Sequence, residues 1–69
     1  KAADIIVPGI TPFDLCTLIE SMDLPYGQLI NEFGRWTHIS LETNGKPQQI
    51  LTAYRDNNQT VYEAGLINV

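Results

Sequence analysis

One segment of this chain repeats its apolar residues with the period of a helix, and the stretches around it read as short strands. Leu15, Leu18, Ile19 and Met22 recur at i, i+3, i+4 and i+7, which predicts one apolar helical face with Cys16 at its border. Thr11 is a capping residue, Pro12 suits the first helical position, and Asp14 complements the positive end of the helix dipole. The spacing therefore predicts a helix from Pro12 to Met22, with Asp14, Glu20 and Asp23 on its solvated side.

Before the helix, Ala2 to Val7 is strand-like and ends at Pro8-Gly9. After it, Leu24-Pro25-Tyr26-Gly27 stops the helix and leads into a second strand, Gln28 to Phe33. Phe33-Gly34-Arg35 can turn the chain back, so Trp36 to Glu42 is expected as the return strand of a hairpin. A turn is expected in Thr43-Asn44-Gly45-Lys46-Pro47 from its Asn-Gly pair. Gln48 to Tyr54 alternates as a fourth strand, with Gln49, Leu51 and Ala53 on one side and Ile50, Thr52 and Tyr54 on the other. Arg55 to Gln59 reads as a polar loop, and Thr60 to Leu66 is open between a short strand and a helical turn. The fold class is α+β: one amphipathic helix packed on a small, mostly antiparallel sheet of about four strands.

Composition narrows the function. The 69 residues fit one domain, and a chain of that size buries only about 60% of the surface its unfolded form exposes. The formal charge is −4, and the four cations, Lys1, Arg35, Lys46 and Arg55, are scattered singly, so no basic stripe is available to neutralise a nucleic-acid backbone. Cys16 is the only cysteine, which excludes an internal disulfide and a multi-cysteine zinc site and fits a small core residue. No apolar run approaches the ~20 residues of a membrane span, and no signal-peptide pattern is present. The chain opens on Lys1 and runs at once into a strand, which is expected of a fragment of a larger domain.

Two residues carry the candidate chemistry. His38 is the only histidine and lies in the strand-forming run Trp36-Thr37-His38-Ile39-Ser40, where it can hold a metal, move a proton, or fill a half-buried position. Asp4 is the one charge in an apolar strand; it lies either at an exposed strand start or in a site that pairs, hydrogen-bonds or ligates it.

Two separated pieces of the chain resemble the zinc D-alanyl-D-alanine carboxypeptidase and L-alanyl-D-glutamate endopeptidase family, which includes phage endolysins and bacterial peptidoglycan peptidases. Lys1-Ala2-Ala3-Asp4-Ile5 resembles the end of that family's His-x-x-Gly-x-Ala-x-Asp pattern, and Trp36-Thr37-His38-Ile39-Ser40 resembles its Trp-x-His strand. Thr11-Pro12-Phe13, the run Leu24 to Phe33, and Gln48-Gln49-Ile50-Leu51-Thr52-Ala53 are similar to phage-type members in the same order.

The resemblance implies a Zn²⁺ cofactor with Asp4 and His38 as two of three protein ligands, the third being a histidine upstream of Lys1. A catalytic zinc of this kind keeps an open position for water and needs a nearby carboxylate to carry the proton; Glu32 is the candidate. If Gly34, Arg35 and Trp36 form an odd-numbered loop, Glu32 lies opposite His38 and the two share a face; an even-numbered loop puts them on opposite faces. Trp36 and Arg35 are candidate substrate-binding residues, Arg35 through a bidentate pair with a peptide carboxylate. The implied substrate is the peptide stem of peptidoglycan and the implied place of action the bacterial cell wall. The alternative is a non-catalytic truncated module that binds cell wall or a protein partner, or assembles into an oligomer through an exposed sheet edge.

Overall fold

A computed structural model describes residues 1–42 and 45–69. The elements are β1 (Ala2–Ile5), α1 (Pro12–Ser21), β2 (Gln28–Glu32), β3 (Trp36–Ser40), β4 (Gln49–Asp56) and β5 (Gln59–Ala64). The five strands form one sheet in the order β1-β3-β2-β4-β5. All neighbouring pairs are antiparallel except β2 and β4, which run parallel. The α+β architecture is the one expected, with the ambiguous tail supplying a fifth strand. The turn expected around Asn44 lies outside the described residues.

The helix begins as its sequence requires. Thr11 has an extended backbone and its hydroxyl accepts a hydrogen bond from the Asp14 amide at 3.1 Å, with Pro12 opening the first turn. Its buried stripe differs from the expected one. Cys16 and Ile19 are the buried positions, whereas Leu18 and Met22 are about half exposed, at 51% and 55%. The helix is rolled so that Cys16 lies against Thr37 of β3, Sγ to Oγ1 3.6 Å, and the small thiol permits that close seat. Cys16, Ile19, Tyr26 and Leu29 form the core, with Leu15, Ile39, Ile50 and Leu66 packed around it.

β4 and β5 are longer and closer than a polar loop at Arg55 to Gln59 allows. Asn57 and Asn58 both have positive φ, 50° and 63°, and form a two-residue turn in which Asp56 pairs with Gln59. Consecutive left-handed residues match the right-handed twist of the flanking strands, and asparagine tolerates them better than most side chains. Beyond β5 the chain crosses the helix-side face of the sheet. There the Thr52 hydroxyl donates to the Gly65 carbonyl at 2.8 Å and accepts from the Ile67 amide at 2.9 Å. Asn31, fully buried, donates through Nδ2 to the Ile67 carbonyl at 3.0 Å and accepts at Oδ1 from the Gly34 amide at 3.1 Å. One side of the sheet is thus covered by α1 and the last residues, and the other side is left open.

Candidate functional site

β3 is an interior strand, paired with β1 on one side and β2 on the other, so its side chains are fixed by two ladders. Alternation divides them. Thr37 and Ile39 point to the helix, which places Trp36, His38 and Ser40 on the open face. Across from His38 lie Asp4 on β1 and Ile30 on β2. Ile30 and Ala53 are buried at 5% and 0% exposure and form an apolar floor on this face.

The two residues singled out in the sequence meet directly. His38 Nδ1 is 2.9 Å from Asp4 Oδ1, with the imidazole mostly covered and the carboxylate mostly in solvent. An ionised carboxylate only accepts, so Nδ1–H is the donor in this contact. The arrangement supports two kinds of chemistry: an oriented imidazole that takes a proton at Nε2, or a carboxylate and an imidazole donor offered to one cation. The second use fits the donor types, because zinc takes both nitrogen and carboxylate oxygen, and two ligands of one tetrahedral zinc lie about 3.3 Å apart. At 2.9 Å the two atoms are in direct hydrogen-bonding contact, so sharing an ion requires the imidazole to turn Nδ1 off the line to Oδ1 as well as the pair to open.

Glu32 shares the open face. The loop between β2 and β3 is Phe33-Gly34-Arg35 and not Gly34-Arg35-Trp36, so Glu32 pairs with Trp36 instead of His38, two residues along the ladder from Ile30 and His38; the loop is still odd-numbered and the shared face is kept. Glu32 is therefore diagonal to His38, a spacing within reach of a long side chain. Burial pushes its carboxyl above the ordinary value; His38 pulls it partly back and Asp4 pushes it further up. Among the described residues, no group of three or more His, Cys, Asp or Glu side chains is gathered closely enough to hold a metal ion. Glu32 stands beside the Asp4–His38 pair and not in it.

Trp36 is partly buried and its ring meets that of Phe33 at 5.9 Å between centroids, tilted by 57°. Arg35 is exposed in the turn. Both line a cleft of about 580 Å³ at this end of the sheet, together with Phe33, Tyr54, Arg55, Thr60 and Val69. Arg55 was not legible as a site residue, because its place depends on β4 continuing past Tyr54 and lying parallel to β2.

Comparisons with models of known protein families, with curated proteins and with solved structures find no match. No helix among the described residues is long and apolar enough to cross a membrane.

Proposed function

We propose that this chain is part of a zinc peptidase that cleaves the peptide stems of peptidoglycan, with Asp4 and His38 as two of its metal ligands. The observation that carries the reading is the 2.9 Å approach of Asp4 Oδ1 to His38 Nδ1 on the uncovered face of the sheet. Residues 34 positions apart, chosen from sequence as ligands of a common ion, are register partners on adjacent strands. The order of the motifs along the chain adds support.

On this reading the third donor is a histidine preceding Lys1, outside the chain described. Bound zinc supplies a polarised carbonyl and an acidified water. The remaining work falls to this chain's own side chains. Asp4 and His38 are held by backbone ladders and not by loops, so little reorganisation is needed to present their donors. Glu32 receives a proton at its carboxylate and passes it to the leaving amine; its raised pKa brings it closer to the working range of a general base. Trp36 walls the open face next to Glu32, and Ile30 and Ala53 keep the floor apolar.

The test is a chain extended upstream to include the third donor. It is expected to bind one zinc and release stem-peptide fragments from a muropeptide, His38→Ala losing both properties and Glu32→Gln losing cleavage while keeping zinc. Cleavage retained by His38→Ala would refute the reading. The alternative, a non-catalytic module that binds cell wall or a protein, is favoured by the finding that the described residues bring together only two of the donors.

A further inference from the structure

The chain contains two arginines, twenty positions apart in sequence, and both line the same cleft. Topology brings this about. β2 and β4 run parallel, so the turn that follows β2, with Arg35, and the far end of β4, with Arg55, emerge at one end of the sheet. No Asp or Glu side chain lines the cleft, although acids outnumber lysines and arginines by eight to four. Among the described residues the ion pairs involve neither guanidinium. The nearby Tyr54 hydroxyl donates to Glu63 at 2.8 Å, which occupies that carboxylate with a neutral partner. The other lining side chains are aromatic or apolar, Phe33, Trp36, Tyr54 and Val69, with Thr60 opposite Arg55 on β5; Val69 is residue 69 of the 69, and among the described residues its terminal carboxylate makes no ion pair with either guanidinium.

Two guanidiniums outside the ion pairs of the described residues, set among aromatic rings in an acidic chain, select for a negative charge joined to an apolar group. Arginine binds carboxylates through paired, charge-assisted hydrogen bonds, and the aromatic residues of the lining add apolar surface beside it. We propose that this cleft is a carboxylate-binding subsite for an anionic peptide, with Arg35 and Arg55 holding the carboxylate and the aromatic rings holding the apolar residue beside it. Trp36 belongs both to this cleft and to the face that bears His38, so a peptide seated here extends toward the Asp4–His38 pair. That the ligand is a peptide rests on the proposed peptidase reading; the requirement for negative charge rests on the cleft alone.

Trp36 is the sole tryptophan, so its fluorescence reports on the cleft directly. The experiment titrates the 69-residue chain with an acetylated, amidated Leu-Glu-Leu tripeptide and with its Leu-Gln-Leu counterpart, in parallel with inorganic phosphate. A saturable fluorescence change is expected for the glutamate peptide, weakened at least about tenfold in the glutamine peptide and in either Arg35→Gln or Arg55→Gln, consistent with loss of a charge-assisted bond. Both arginines are exposed and outside any ion pair, and circular dichroism checks that the variants keep the fold. His38→Ala is expected to bind the glutamate peptide as the parent chain does, which separates this subsite from the metal reading. Equal binding of the two peptides, unchanged binding in both arginine variants, or absence of binding would overturn the proposal. Phosphate binding as tightly as the glutamate peptide would overturn the peptide assignment as well.

Discussion

Replacing Asn31 by alanine tests how the β2–β3 turn is held in place, because this one buried amide ties it to the chain beyond β5. Its Nδ2 donates to the Ile67 carbonyl and its Oδ1 accepts from the Gly34 amide. The two losses are unequal. The Ile67 carbonyl also accepts from the Val69 amide at 3.0 Å, so it keeps a partner and forfeits about 0.5–1.5 kcal/mol. Asn31 is the acceptor found for the Gly34 amide, and orphaning this half-buried donor costs about 1–2 kcal/mol, below the roughly 3 kcal/mol of a fully buried one. The sum is about 1.5–3.5 kcal/mol, a large part of the roughly 3–10 kcal/mol expected for a domain of 69 residues. Urea denaturation followed by Trp36 fluorescence measures it as a lowered midpoint at unchanged slope. Asn31→Asp separates the two bonds: it keeps the acceptor for Gly34 but sets a carboxylate against the Ile67 carbonyl. It is expected to be at least as destabilised at neutral pH and to recover in acid, where the protonated form donates again. An Asn31→Ala variant within about 0.5 kcal/mol of the parent chain would show that these bonds do not hold the turn.

Two further substitutions probe the same region. Glu32 has a folded pKa raised above its unfolded value, so the native state binds the extra proton and stability falls as pH rises from about 4.5 through the folded pKa. Glu32→Gln is therefore expected to be more stable than the parent chain at neutral pH, with the difference vanishing as pH drops below that window; thermal melts across pH measure it, and a glutamine variant less stable at pH 7 would contradict the assignment. Gly34 has φ +67°, and a Cβ there would lie 2.3 Å from the Val69 carbonyl oxygen, so Gly34→Ala meets both backbone strain and a clash with main chain. A loss of about 2 kcal/mol and faster hydrogen exchange at residues 65–69 are expected, and unchanged exchange there would argue against the contact.

What the sequence made legible follows from local chemistry. The cap at Thr11, the strand character around Trp36 to Ser40, and the alternation from Gln49 to Tyr54 are written in neighbouring residues, and each element forms where those residues place it. The helix stripe was misplaced because periodicity gives Leu18 and Met22 the same weight as Ile19, while the roll of the helix is set by the close seat of Cys16 on Thr37. The parallel β2–β4 pairing and the resulting convergence of Arg35 with Arg55 are long-range facts that no local signal carries. Asn31 was legible in part: it shares the parity of Leu29, which implies burial, but its partners at Gly34 and Ile67 depend on the fold. The turn at Asn57-Asn58 had a usable signal in two consecutive residues that tolerate positive φ. For the site, Asp4 and His38 stood out in the sequence one by one, but their contact depends on the register of β1 on β3, which a one-residue slip would have undone.

The central claim is that Asp4 and His38 serve a common divalent cation, and the most direct measurement is a zinc titration of the chain extended upstream to its third donor, read at the ring nitrogens of ¹⁵N-labelled His38. The account predicts a saturable shift of Nδ1, the nitrogen that faces Asp4, which Asp4→Asn weakens strongly and His38→Ala removes. Ring nitrogens that stay unmoved through saturating zinc, or a shift that Asp4→Asn leaves unchanged, would contradict it.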